Sequence, residues 1–424
     1  SPAPRGSGEG RRGCYWAARL MPVLRNIAQL ATCPAGNPQL DAGLIGQAAL
    51  AWRDERIRWV GPYRELPAEF RADPVIDCER RLVVPGLIDC HTHLCFGGWR
   101  GDEFAARLQG SSYQQIAAAG GGIAQTVAAT RGASTGELQR KARAALNAML
   151  RLGVTTVECK SGYGLDEANE LKQLEVYRRL DAGHAVDLVP TFLGAHIIPP
   201  EHRLHRGRYV ELLCEVLIPR VARLRLARFC DVFVDDGAFT LEEARRILVA
   251  ARAHGLGLKV HADQLSAGGG AGLAAQMGAV SAEHLEYASD RDIKALAKSG
   301  TVAVSLPLAS LYLGERYLSA RKMLAAGVRV AVATDFNPGS APSYHLPLAM
   351  TLACLNQAMT PQESLMGATN VAAQALSLHG DRGSLRPGYR ADLAIIDVPS
   401  LNHWLYHFVP NACLKVLKNG QWQD

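Results

Sequence analysis

The chain has 424 residues, 48% of them apolar and 20% charged, and a formal net charge of +6. This is the composition of an ordinary soluble globular protein. So small a charge, with acidic residues interleaved among the basic ones, argues against a nucleic-acid surface. The densest basic groups, Arg80-Arg81 and Arg220 to Arg228, are expected to be solvated helix faces. No apolar run reaches the roughly 18 residues needed to span a bilayer.

In chain order, residues 1–20 are rich in Gly, Arg and Ser and lack the apolar core of a secretory signal. They are expected to be a disordered or non-native leader, with folded sequence starting at Met21. From Met21 to Val84, short apolar runs broken by turn residues predict a small β unit, and the same texture returns at Ala391–Asp397 and Cys413–Val416. Between these, β-type segments alternate with helix-like ones: Val83–His93, Val154–Lys160, Val186–Phe192, Phe229–Val234, Leu256–His261, Ala279–Glu283, Thr301–Leu306 and Val328–Asp335. Eight such repeats predict a closed α/β barrel of the (β/α)8 type, whose reactive groups gather at the C-terminal ends of the strands.

The polar residues of interest fall at those ends. His91 and His93 are spaced i, i+2, so on a strand both imidazoles face the same side. His261 closes the fifth segment, and Asp335 closes the very apolar eighth, where a carboxylate is costly to bury without a partner. Three histidines and one aspartate around one barrel mouth predict a catalytic metal site. His284, ending the sixth segment, reads either as a further ligand or as a base beside the metal. Five protein ligands would leave no room for water and substrate, so His284 is assigned to proton transfer.

Ten cysteines with no Cys-x-x-Cys pair indicate neither a disulfide framework nor a structural zinc site. They point to a reducing compartment, the cytoplasm, and Cys90, Cys95 and Cys159 are expected to be buried small apolar groups. Neither Gly120-Gly121-Gly122 nor Gly268-Gly269-Gly270 is a dinucleotide fingerprint. His202, His205, His254, His345, His379, His403 and His407 lack strand-end company and are expected at surface or packing positions.

The strand Pro85-Gly86-Leu87-Ile88-Asp89-Cys90-His91-Thr92-His93, the later strand-end histidines and Thr334-Asp335 together resemble the amidohydrolase superfamily. Four further blocks resemble its imidazolonepropionase family: Cys95-Phe96-Gly97-Gly98-Trp99-Arg100, Ala118-Ala119-Gly120-Gly121-Gly122-Ile123, Glu158-Cys159-Lys160-Ser161-Gly162-Tyr163-Gly164-Leu165 and Asp335-Phe336-Asn337-Pro338-Gly339-Ser340. The resemblance implies that residues 21–84 and 385–424 form one small composite β-sandwich domain beside a metal-dependent barrel of residues 85–384. It implies hydrolysis of 4-imidazolone-5-propanoate to N-formimidoyl-L-glutamate, the third step of histidine breakdown. His91, His93, His261 and Asp335 would hold one divalent or trivalent metal ion per chain, zinc or iron. Asp335 and His284 would share the proton work. By the same resemblance Arg100, Tyr163 and His196 bind the substrate, and Asn337, Gly339 and Ser340 help hold substrate or product.

Two positions depart from relatives. Gln264 stands where related enzymes often carry a proton-shuttling Glu. An amide cannot exchange a proton at neutral pH, so Gln264 is expected only to orient the ring. Lys160 stands where binuclear relatives carry a modified, metal-bridging Lys, but its surrounding residues match the mononuclear pattern. The expected partners are a small-molecule substrate and a second copy of the chain, a homodimer being the commonest assembly, with no nucleic acid and no membrane. The rival readings are an aminohydrolase that releases ammonia from a nucleobase-like ring, and a catalytically dead barrel serving as a scaffold.

Overall fold

A computed structural model describes residues 21–36, 38–71, 74–110, 115 and 121–423. The expected leader and Ala118–Gly120 lie outside the described residues. The N-terminal part forms strands β1 (Val23–Ala31), β2 (Leu44–Arg53), β3 (Arg56–Pro62), β4 (Val75–Asp77) and β5 (Leu82–Pro85). Next come the barrel strands β6 (Leu87–Asp89), β7 (Val154–Lys160), β8 (Asp187–Ala195), β9 (Phe229–Val234), β10 (Gly257–Ala262), β11 (Ser281–His284), β12 (Val302–Ser305) and β13 (Val330–Val332). The chain ends with β14 (Leu393–Ile396), β15 (Cys413–Lys418) and β16 (Gln421–Gln423).

The two chain ends share one sheet, ordered β16-β15-β14-β5-β1-β2-β3, with β4 also against β1. Side-chain alternation explains how it sits. Leu82 and Val84 of β5 and Ala394 and Ile396 of β14 join the barrel's core, whereas Val83, Leu393 and Ile395 point the other way, into a core with Leu24, Ile27, Leu30 and Leu50. Each such fully buried Val, Leu or Ile contributes about 1.5–3 kcal/mol, so the sheet is held from both faces.

The run expected as one strand, Val83–His93, is two. Pro85-Gly86 divides it between the end sheet and the barrel, and packing requires a glycine there. A Cβ on Gly86 would lie 2.4 Å from Thr155 Oγ1. His91 and His93 therefore follow β6 rather than end it. Their extended course is kept by a bridge between Thr92 and Phe336.

The eight barrel strands pair in parallel, each with its chain neighbour. The seam between first and eighth closes at the mouth. There the Asp335 N–H donates to the His91 carbonyl at 3.0 Å and the His93 N–H to the Phe336 carbonyl at 2.9 Å. Asp89 ties the same seam by accepting from the Thr334 hydroxyl (2.6 Å) and N–H (3.1 Å). Capping boxes start the outer helices Thr135–Arg151 (Ser134 with Glu137) and Leu241–Ala253 (Thr240 with Glu243).

One surface expectation is corrected. Arg80-Arg81 lies in a turn before β5, with Arg80 at φ +61°, and Arg81 pairs with Glu79 and Asp397. No helix among the described residues is long and apolar enough to cross a membrane.

Candidate active site

The four predicted metal-holding residues converge. Asp335 Oδ1 lies 3.3 Å from His91 Nε2 and 3.4 Å from His93 Nε2, and His261 Nε2 lies 3.4 Å from His93 Nε2. His284 is brought to the same place, since ring nitrogens of His91, His261 and His284 lie within 4.8 Å of one another. All five side chains are buried. Both nitrogens of His91 and Nδ1 of His93 have no hydrogen-bond partner among the described residues. A buried imidazole nitrogen without a partner is costly, and a cation where the Nε2 atoms converge would satisfy that of His91. The donor set therefore fits a metal ion.

The electrostatics agree. Burial, then the Lys160 ammonium, hold the His91 imidazole well below its ordinary range, and burial also lowers His261. Neutral imidazoles keep the lone pairs that ligation needs. Burial pushes the Asp335 carboxyl up, but His91 and His93 outweigh it and hold it well below the carboxylate range. Asp335 and His284 adopt left-handed backbone, φ +57° and +72°. Non-glycine residues held there cost about 1–3 kcal/mol each and cluster at functional sites.

A charged network lies beneath the cluster. Asp231 Oδ2 is 2.9 Å from His261 Nδ1 and 2.9 Å from Lys160 Nζ, which also binds Glu158 Oε1 at 2.7 Å. Lys259 donates to Ser281 Oγ at 2.8 Å and faces Glu283 Oε1 at 3.3 Å. Lys160 is thus paired with two carboxylates.

Above the cluster opens a cavity of about 520 Å³, lined by His93, His261, His284 and Asp335 and by every predicted substrate contact: Arg100, Tyr163, His196, Gln264, Asn337, Gly339 and Ser340. His91 lies behind this lining.

Glu103, Glu170, Gln173 and Asp235, which sequence reasoning missed, hold Arg100, the Tyr163 loop and the Gln264 backbone. Arg100 donates Nε and Nη2 to Glu103 at 2.9 and 2.7 Å, so Nη1 is the nitrogen left for a ligand. A Cβ on Gly339 would meet that Nη1 at 2.4 Å, so the glycine gives the guanidinium its passage. Tyr163 rides a loop whose N–H groups at Gly162, Gly164 and Leu165 donate to the buried Glu170 carboxylate, while Gln173 accepts from the Tyr163 N–H. His196 stacks on His93, with centroids 5.1 Å apart, and its Nδ1 meets the Gly162 carbonyl at 3.0 Å. The Gln264 and Leu265 N–H groups are held by Asp235 Oδ2 at 3.0 and 2.8 Å. Asn337 uses its amide within its own turn, bonding the Asp335 carbonyl and the Gly339 and Ser340 N–H groups. The Ser340 hydroxyl reaches Asp335 Oδ2 at 3.3 Å.

The other predictions resolve simply. Cys90, Cys95 and Cys159 are buried free thiols, and burial pushes Cys95 up to about 12. His345 caps the helix Leu346–Gln357 through Nδ1. Gly270 lies tight against Ala262, and its N–H is held by Asp263.

Residues 82–423 match the family described as the amidohydrolase family. A protein of Symbiobacterium thermophilum named imidazolonepropionase is 49% identical over 391 residues, covering 91% of this chain and 92% of its own. One of the same name from Anaeromyxobacter sp. (strain K) is 48% identical over 404 residues, covering 94% and 95%. The fold resembles that of an atrazine chlorohydrolase from Arthrobacter aurescens TC1 complexed with zinc, with a TM-score of 0.71 at 17% identity over 95% of this chain and 94% of that one.

Proposed function

The chain belongs to the amidohydrolase family and, within it, to the imidazolonepropionases, and on that premise we propose that it opens the ring of 4-imidazolone-5-propanoate with water to give N-formimidoyl-L-glutamate. One observation supports the reading: His93, His261, His284, Asp335 and all seven residues proposed to contact substrate line a single cavity. His91, His93, His261 and Asp335 would hold one metal ion, and their imidazole and carboxylate donors suit zinc and iron alike. Such an ion supplies Lewis acidity, lowering the pKa of water from about 15.7 towards about 7 and polarising a carbonyl. One ion is proposed because Lys160 is taken as an ammonium paired with Glu158 and Asp231.

The residues of the chain divide the remaining work. Asp335, a carboxylate at neutral pH, accepts a proton from the attacking water and returns one to the leaving ring nitrogen. His284 donates a hydrogen bond to the carbonyl oxygen as negative charge gathers there. Burial pushes the His284 pKa down, but Glu286, Asp335 and Glu283 outweigh it and the value is raised. A ring that favours its proton suits donation to the substrate better than ligation. Gln264 hydrogen-bonds the ring, Arg100 Nη1 meets the propanoate, and Tyr163 and His196 close its sides. The free cysteines suit a reducing, cytoplasmic setting, and a homodimer is the assembly we propose. Residues 21–84 with 385–424 are proposed as one supporting unit beside the barrel of residues 85–384.

Kinetics of two variants separate binding from chemistry. Arg100→Ala should raise KM about 10- to 100-fold with kcat little changed, because a charge-assisted contact of about 1.5–3 kcal/mol is lost in ground and transition state alike. His284→Ala should lower kcat about 10²- to 10⁴-fold with KM little changed. The reverse pattern would mean that the two roles are exchanged.

A further inference from the structure

Glu286 has no part in the reaction as derived above, yet its placement calls for a partner. It stands two residues after His284, with its side chain 4% exposed. No other residue is found bonded to its carboxylate among the described residues: Oε2 has no hydrogen-bond partner, and Oε1 lies 3.6 Å from His284 Nδ1. That Nδ1 is equally buried and equally without a hydrogen bond. The partnerless His284 Nδ1 thus faces the Glu286 carboxylate just beyond bonding distance, with Oε1 nearest and Oε2 buried without a partner. An unpaired buried carboxylate costs several kcal/mol, and a small ring rotation would pair the two.

The backbone holds them in this relation at some strain. His284 and Leu285 both have left-handed φ values, +72° and +70°. The turn is pinned on either side of Glu286, by the Leu285 N–H to the Ala262 carbonyl (3.0 Å) and the Tyr287 N–H to the Asp263 carbonyl (2.8 Å). These anchors belong to the segment that follows His261, so the turn is fixed to the metal-holding edge of the barrel. Nothing in the packing of Leu285 requires a charged neighbour.

We propose that Glu286 is a positioning residue for His284: its carboxylate takes the Nδ1–H and fixes the ring's angle so that the other nitrogen serves the reacting carbonyl. A histidine whose second nitrogen is bonded to a carboxylate is oriented and made more basic. The inference rests on the role proposed for His284, and a double-mutant cycle tests the two separately.

Glu286→Gln should lower kcat about 10- to 100-fold, with KM, metal content and melting temperature close to those of the parent. Glu286→Asp should recover part of that loss. In a His284→Ala background Glu286→Gln should have no further effect, because its route to the substrate is already gone. Losses that multiply in the double variant, or an E286Q protein as fast as the parent, would overturn the role of Glu286. A His284→Ala protein with parental kcat would instead overturn the role of His284. If E286Q does not fold, E286D and its combination with H284A read the same coupling.

Discussion

Asp335→Asn is expected to lower kcat/KM by about 10⁴-fold or more, because the proposed mechanism gives one side chain two functions. As a carboxylate at a cluster of three imidazoles it balances the charge of a bound cation. In the proposed mechanism it also carries the proton between water and leaving nitrogen, and its second oxygen lies 3.3 Å from the Ser340 hydroxyl. Asparagine preserves the shape and can accept a hydrogen bond, but it brings no charge and takes no proton at neutral pH. The protein should remain folded, since the backbone contacts of Asp335 to His91 and Asn337 do not use the carboxylate. Purified variant should show reduced metal content alongside the kinetic loss. Parental turnover by D335N would remove both roles at once.

Lys160→Met should have the largest effect on stability. The Lys160 ammonium, Glu158 and Asp231 are all fully inaccessible to solvent. Removing the cation leaves two buried carboxylates facing each other, and breaking a buried pair costs about 3–5 kcal/mol. That is a large share of the total stability of about 5–15 kcal/mol typical of folded proteins. Denaturant titration or a thermal melt should register the loss plainly. The effect should reach the site as well, because Asp231 touches His261 Nδ1 and would no longer be shared with a cation. A K160M protein with unchanged stability would mean that the carboxylates find other partners.

The gross architecture and the candidate metal ligands, which the structure brings together, were legible in the sequence because they follow local rules. Apolar β segments alternate with helices, and His91, His93, His261, His284 and Asp335 each stand where an apolar run stops. What local pattern could not show was that Pro85-Gly86 passes the chain from one sheet to another, because Val83–Val84 and Leu87–Ile88 are equally apolar. The supporting carboxylates were missed for a related reason. Glu103, Glu170 and Glu243 look alike as helix charges, and only tertiary neighbours distinguish the buried anchor from the solvated one. Glu170 did leave a trace, since Gln173, Leu174 and Tyr177 share its inward helix face, a polar pair on an otherwise apolar stripe. Glu286 left one too, two residues after a strand-end histidine.

The central claim is the reaction itself. Purified, metal-replete protein should be incubated with 4-imidazolone-5-propanoate and its product identified by mass spectrometry, with and without a chelator. The account predicts N-formimidoyl-L-glutamate, lost on chelation and restored by returning the metal. No turnover of this compound, with ammonia released from a nucleobase instead, would contradict it.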